Sequence, residues 1–222
     1  MGTRGPIPRH KVKIKWSPNF AYAVGLITTD GNLSPDRRHI NFTSKDLEQM
    51  NNFQKALGIS YSIGRKSNGA SIEKKYFVIQ FSDVFFYSFL EQIGLHRNKS
   101  KTLGPVSIPS KYFFHFLRGC FDGDGTFYSY WDPRWRSSFM FYISFSSASE
   151  KFILWLRCEI KKLVKVSGHI TKDSKKSTLQ LKYAKREGLK ILQKIYSSPL
   201  VLCLSRKRLK VITALGIVGK SL

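Results

Sequence analysis

The chain contains an internal repeat, and that repeat limits its possible folds more than any other feature. Residues 20–31 read FAYAVGLITTDG and residues 114–125 read FHFLRGCFDGDG. Each is an apolar helical stretch with a glycine in its middle and Asp-Gly at its end. Asp30 and Asp124 stand at an offset of 94 residues. Downstream, Ile40-Asn41-Phe42-Thr43-Ser44 matches Ile143-Ser144-Phe145-Ser146-Ser147 at an offset of 103. The nine added residues fall around Trp131-Asp132-Pro133-Arg134-Trp135-Arg136, where a hairpin lengthens at little entropic cost.

Beyond that point each half predicts the same order of elements. A helix (Leu47 to Leu57, Phe152 to Val164) leads through a polar turn to an alternating strand (Tyr76 to Ser82, Thr178 to Ala184). Another helix follows (Val84 to Gly94, Gly188 to Tyr196), then a basic segment (Arg97-Asn98-Lys99, Arg206-Lys207-Arg208). A last helical stretch runs from Leu209 to Leu215. The prediction is an α+β fold of two pseudo-symmetric αββαββα halves, residues 18–103 and 111–222. Residues 104–110, around Gly104-Pro105 and Ile108-Pro109, form the linker. Residues 1–17, with Pro6 and Pro8, read as an extended basic N-terminal arm.

The strands alternate with period two. Ile40 and Phe42, Phe77, Ile79 and Phe81, Phe141, Ile143 and Phe145, and Leu179, Leu181 and Tyr183 form apolar rows. Between them lie His39, Asn41 and Thr43; Gln80; Tyr142, Ser144 and Ser146; and Gln180 and Lys182. An ordinary solvated sheet face would show the same alternation. This face, however, is poor in acids and rich in amides, hydroxyls and tyrosines, which suit base edges in a major groove.

The charge points the same way. There are 38 Lys+Arg against 14 Asp+Glu, a formal net charge of +24, spread along a chain that is 42% hydrophobic. A folded protein lying along a polyanion fits this better than a disordered basic tail, and nucleic acid is the first choice of partner. No apolar run has the length of a membrane helix, and the N-terminus lacks a hydrophobic signal core. Cys120, Cys158 and Cys203 lie far apart in no metal-ligand spacing and read as reduced thiols. The expectation is an intracellular protein of a prokaryotic cytoplasm or an organelle, not secreted and with no membrane partner.

Two details give the Asp-Gly helices chemical meaning. An Asp at a helix C-terminus faces the negative end of the dipole, unfavourable by up to about 1 kcal/mol. A mid-helix glycine such as Gly25 or Gly119 costs about 1 kcal/mol relative to Ala. Close approach of the two helix backbones offsets the second cost and would bring Asp30 and Asp124 together at one end. Carboxylates that close repel each other unless a cation lies between them, so the pair implies divalent metal bridging protein and phosphate.

Ala23-Val24-Gly25-Leu26-Ile27-Thr28-Thr29-Asp30-Gly31 and Leu117-Arg118-Gly119-Cys120-Phe121-Asp122-Gly123-Asp124-Gly125 resemble two copies of the motif of the LAGLIDADG homing endonucleases. The likeness extends from about Phe20 to Leu215. It implies motif helices at the interface of the halves and a saddle of antiparallel strands gripping double-stranded DNA. The implied activity is site-specific, metal-dependent hydrolysis of both strands of a long asymmetric target by a monomer. It also implies Mg2+ or Mn2+ as cofactor, with Ca2+ a non-catalytic substitute. Asp30 and Asp124 would be the metal-binding catalytic acids, and Thr29 and Gly123 would ligate through their backbone carbonyls. The family's basic residue near each metal falls on Lys99 and Lys207, with Arg97, Lys101, Arg206 and Arg208 as alternatives. The first copy has Thr28 where the second has Asp122. Some members place a glutamine at a strand end to position water; Ser44 and Ser147 stand there instead. A maturase or regulator of the same fold that binds DNA or RNA without cutting is the alternative function.

The candidate DNA contacts follow from the saddle. In the first half they are Asn32, Ser34, Arg37, Arg38, His39, Asn41, Thr43, Ser44, Arg65, Lys66, Lys74 and Gln80. In the second half they are Tyr128, Tyr130, Arg134, Arg136, Tyr142, Ser144, Ser146, Lys172, Lys175, Lys176, Gln180 and Lys182.

Overall fold

A computed structural model describes residues 10–67, 75–172 and 178–222. The first helix, α1 (Pro18–Asp30), starts where Ser17 accepts a hydrogen bond from Phe20 N–H at 3.1 Å and Pro18 supplies a preset first-turn φ. It leads to β1 (Gly31–Leu33), β2 (His39–Ser44), α2 (Leu47–Leu57), β3 (Gly64–Lys66), β4 (Tyr76–Ser82) and α3 (Val84–Gln92). The second half repeats the order with α4 (Phe113–Gly123), β5 (Thr126–Trp131), β6 (Phe139–Ser147), α5 (Glu150–Val164), β7 (His169–Lys172), β8 (Leu179–Ala184) and α6 (Lys185–Ile195). A further helix, α7 (Ser205–Ile217), follows. Both αββαββα halves are therefore present as predicted.

The sheets are antiparallel and equivalent, ordered β1-β2-β4-β3 and β5-β6-β8-β7. The registers Ile40↔Phe81 and Phe42↔Ile79, and Ile143↔Tyr183 and Phe145↔Leu181, put the predicted apolar rows side by side, all at 3% exposure or less. The helices cover those rows; Phe53 of α2 stacks on Phe42 at 4.3 Å between ring centroids. The added residues of the second half lengthen its first hairpin. β5 pairs with β6 over six residues, where β1 pairs with β2 over three.

Two helices begin earlier than apolar spacing indicates. α6 starts at Lys185 and α7 at Ser205, because Lys185-Arg186-Glu187 and Arg206-Lys207-Arg208 are good helix formers without apolar periodicity. The basic segment of the second half thus lies inside a helix, while Arg97–Lys99 lies in turns.

α1 and α4 cross at Gly25 and Gly119. A methyl group on Gly25 would collide with the Phe116 carbonyl and lie 2.9 Å from Gly119 Cα; one on Gly119 would collide with the Tyr22 carbonyl. The predicted close approach is therefore a backbone-to-backbone contact. Gly31 and Gly125 are not left-handed caps. Gly31 is extended (φ −88°, ψ 150°), and a side chain on either glycine would press into the preceding helical turn, 2.6 Å from the Ile27 carbonyl or Phe121 Cα.

Polar contacts fasten the halves further. Arg206 binds Asp46 through two hydrogen bonds of 3.0 and 2.7 Å, Ser205 N–H donates to Glu48, and Asn52 donates to the Cys203 carbonyl at 2.9 Å. Residues 10–17 pack along the first half. The Lys11 and Val12 amides donate to Asp83, the N-cap of α3, and Trp16 contacts Phe20, Phe89 and Tyr112. Among the described residues no helix is long and apolar enough to cross a membrane.

Candidate functional site

Parallel descent of α1 and α4 from the glycine crossing delivers Asp30, the last residue of α1, and Asp124, the first after α4, to the same end. Burial, and after it the Asp124 charge, push the Asp30 carboxyl up to about 7 against the opposing pull of Lys207. Asp124 is also raised, by partial burial against the pull of Lys207 and Lys99. Proximity of two acids thus emerges from the packing as the repeat predicted.

Two recesses open at this end. One, of about 270 Å3, is lined by Asp124, Thr28, Thr29, Lys99 and Ser147; the other, of about 360 Å3, by Asp30, Gly123, Asp122, Gln49, Ser44 and Arg206. Each therefore combines the acid of one motif with the residue that precedes the acid in the other. Contact is closest at Gly123, where a methyl group would collide with Thr29 Oγ1 and lie 2.7 Å from Asp30 Oδ2. Helix-terminal carbonyls lack an onward partner inside their own helix, so these ends can offer oxygen donors beside the carboxylates.

Lys99 and Lys207 come to the motif-helix ends, both only 7% exposed. Lys207 Nζ donates to the carbonyls of Phe121 (2.6 Å), Asp122 (2.8 Å), Gly123 (3.2 Å) and Gly125 (2.7 Å); Lys99 Nζ donates to the Gly31 carbonyl. They cap the negative ends of α1 and α4, which offsets the cost of placing an aspartate there. Burial lowers each ammonium to about 8, with the acids pulling the other way. Of the alternatives, Arg97 and Lys101 are exposed, Arg206 is paired with Asp46, and Arg208 donates to the Pro199 carbonyl at 2.6 Å.

Sequence reasoning missed Gln49. Its Nε2 donates to Asp30 Oδ2 at 3.3 Å, and its Oε1 accepts from Ser44 Oγ at 2.7 Å. The available signal was a lone amide on the buried face of α2, beside the core positions Met50 and Phe53. Ser44, expected to meet DNA, is instead 7% exposed and serves to hold Gln49.

The helix-free faces of the sheets carry the candidate nucleic-acid contacts. Asn32, Asn41 and Gln80 lie side by side across three strands, with His39 opposite Ser82 and Thr43 opposite Val78. Ser34 accepts from Asn41 Nδ2 at 3.1 Å and orients it, and Lys66 lies in this row opposite Tyr76. In the second sheet Tyr128, Tyr130 and Tyr142 form a ladder of near-parallel rings, 5.1 to 6.5 Å apart. Ser146 and Gln180 pair beside Thr171, and Lys182 beside His169; neither Thr171 nor His169 was foreseen, because β7 is too short to show a period.

Several expected contacts are placed otherwise. Arg65 shares the core-side row of Phe77, its guanidinium 5.0 Å from that ring's centroid, and Lys172 shares the row of Leu179 and Ser147. Ser144 is on the open face but buried, bonding the Thr126 carbonyl at 3.4 Å. Arg37 pairs with Glu91 at 2.9 Å, Arg38 and His39 with Asp36, and Arg134 with Asp132, while Arg136 is exposed. Lys74, Lys175 and Lys176 lie outside the described residues.

This architecture and the crossing of its motif helices define the LAGLIDADG fold. No family model and no curated protein matches the sequence. Among solved structures the chain is similar to the homing endonuclease I-WcaI bound to its DNA recognition sequence (TM-score 0.62, 11% identity, covering 88% of this chain and 86% of that one). It is also similar to the I-LtrWI LAGLIDADG homing endonuclease bound to target DNA (0.55, 10%, 87% of each). A third likeness is to the N-terminal LAGLIDADG domain of DUF199/WhiA (0.54, 19%, 82% and 83%). At these identities the likeness is one of fold.

Proposed function

We propose that the chain is a site-specific DNA endonuclease that acts as a monomer, since one polypeptide supplies both halves of its two-fold. The observation that carries this reading is the pairing in each recess of one motif's acid with the helix end of the other. Among the described residues no cluster of three or more His, Cys, Asp or Glu exists. A pair of carboxylates with helix-end carbonyls nevertheless suits Mg2+ or Mn2+, which takes one or two carboxylates and fills its shell with water and phosphate oxygens. Such an ion, when bound, supplies charge stabilisation at the phosphate and lowers the pKa of a water. In one recess Asp30 would hold such an ion with the Gly123 carbonyl, in the other Asp124 with the Thr29 carbonyl, and Ca2+ would occupy these places without supporting cleavage.

The chain's own residues do the rest. Gln49 orients the Asp30 carboxylate, and Lys99 and Lys207 keep the helix ends fixed and offset the two acids. The Asn32–Asn41–Gln80 row and the tyrosine ladder set the register of the duplex, so that each recess meets one scissile phosphate. Hydrolysis joins a water oxygen to phosphorus and breaks one backbone P–O bond on each strand. Since the two open faces differ, the target is asymmetric.

A second reading is a DNA- or RNA-binding protein of the same fold that does not cut. It is favoured by Lys207, whose donors are taken by four carbonyls, leaving none for a phosphate. The test is digestion of a randomised plasmid library with Mg2+, with Ca2+ and with chelator, using the parent and Asp30→Asn/Asp124→Asn. Linear product with Mg2+ in the parent only is expected. Retained tight binding without cleavage in any metal establishes the second reading, and full cleavage by the double variant overturns the assignment of the acids.

A further inference from the structure

Asp122 is 1% exposed inside the second motif helix, yet the proposed hydrolysis makes no use of it. Its Oδ2 accepts two hydrogen bonds, from Tyr22 OH of α1 and from Leu204 N–H, both at 2.8 Å. Leu204 is the residue immediately before α7. The segment leading to it is held by the same helix, since Arg118 donates to the Leu202 carbonyl at 2.8 Å and to the Ile195 carbonyl at 2.9 Å. The guanidinium also lies over the Tyr22 ring, 5.2 Å from its centroid.

The residues just past that anchored point belong to the site. Arg206 and Lys207 are in the first turn of α7. Arg206 lines the Asp30 recess and locks onto Asp46; Lys207 caps the carbonyls around Gly123. Among the described residues the first half has no such device. Thr28, at the equivalent motif position, bonds its own helix at the Val24 carbonyl (2.8 Å), and Lys99 sits in turns rather than at the start of a helix.

We propose that Asp122 is a positioning residue for the Asp30 recess: by holding Leu204 N–H it fixes where α7 begins, and so where Lys207 and Arg206 stand. The buried polar atoms left without a protein partner include Asp122 Oδ1, Arg118 Nη2, Tyr196 OH and Arg208 Nε, all on this knot. The proposal rests on the endonuclease reading for its catalytic consequence and on hydrogen bonding alone for its structural one.

The experiment compares the parent, Asp122→Thr, Asp122→Ser and Asp122→Asn. Thr is the residue of the first half, Ser is a smaller replacement should Thr not fold, and Asn keeps a carbonyl oxygen for both donors. Amide hydrogen exchange over residues 204–208 should accelerate in the Thr and Ser variants and stay near the parent in Asn, with the other core amides unchanged. On a supercoiled target the Thr and Ser variants should accumulate nicked product, slowed on the order of 10–100-fold on one strand only. The spared strand should be the one spared by Gln49→Leu, and opposite to that spared by Lys99→Met. DNA affinity should not change, and Asn should restore cleavage of both strands. Equal slowing of both strands, or local exchange unaltered in Thr and Ser, overturns the proposal. If the parent itself cuts nothing, the endonuclease reading fails while the exchange measurement still decides whether Asp122 anchors α7.

Discussion

In the first half the motif acid, Asp30, rests against Gln49, whose carbonyl oxygen is held by Ser44. In the second half the place equivalent to Gln49 is Phe152, a core residue, and among the described residues Asp124 accepts no hydrogen bond. The open faces diverge as well, with amides in the first sheet and a stacked tyrosine ladder in the second. Yet Gly25 and Gly119, and Lys99 and Lys207, do the same work in both halves. Where backbone must meet backbone, the two-fold is kept. Where a side chain faces a recess or the open sheet, the halves have separated, which leaves two unequal centres on one symmetric frame.

The largest effect should come from testing the shared part. Gly25→Leu or Gly119→Leu forces a side chain into opposing backbone and should cost more than about 3 kcal/mol, enough to prevent folding of a marginal domain. Gly25→Ala and Gly119→Ala should destabilise by similar amounts in denaturant melts. A marked inequality between them would break the claim that the crossing is symmetric.

Next in size is removal of the acids. Asp30→Asn or Asp124→Asn should reduce cleavage by more than the roughly 10–100-fold that loss of an outer partner costs, with binding kept. Stability separates the two. Asp30 holds its proton in the native state up to about pH 7, well above an ordinary carboxylate, so native binding of that proton favours folding at low pH. The parent should therefore lose stability relative to Asp30→Asn as pH rises from about 4 to about 7, without metal. Thermal melts in chelator should show that gap, and added Mg2+ should narrow it by stabilising the parent more than the variant, which keeps only the Asp124 recess. A gap that opens on acidification instead would contradict the sign.

Smaller and one-sided is the effect at Gln49. Gln49→Leu should slow one strand about 10–100-fold and produce nicked intermediate, whereas Phe152→Leu should only cost about 1 kcal/mol of stability. Slowing of both strands by Gln49→Leu would mean the recesses are not separate.

Smallest are changes on the open faces. Asn41→Ala or Gln80→Ala should relax preference at one or two base pairs by about 1–3 kcal/mol, measured by sequencing cleaved library members. Tyr142→Ala should weaken binding with less change in preference, because stacked rings offer surface more than a hydrogen-bond code. If Tyr142 alters preference as sharply as Asn41, the two faces read DNA alike.

Much of this was legible in the chain. The repeat placed α1 and α4 to within two residues, and the Leu47–Leu57 helix and the Tyr76–Ser82 strand to the residue; the alternation of Ile40 and Phe42 against Asn41 put the core on the correct side. Those features are local: a period of 3.6 or 2 records which side of an element is buried. Short strands fell below that signal, so Arg65 and Lys172 were assigned to the open face and lie in the other row.

The sequence by itself determined the two halves, the glycine crossing and the meeting of Asp30 with Asp124, and it left Lys99 and Lys207 beside Arg97, Lys101, Arg206 and Arg208 as candidates for the basic residue. Only the tertiary structure decided that Lys99 and Lys207 cap helix carbonyls, that Gln49 reaches Asp30, and that Asp122 holds the chain before α7. The physical reason is range and direction. Lys207 and Gly125, or Asp122 and Leu204, are 82 residues apart, and a hydrogen bond forms only when donor and acceptor are brought within about 3 Å and aligned. Burial preference can be read from one residue and its neighbours; a partner that distant exists only once the whole fold has placed it.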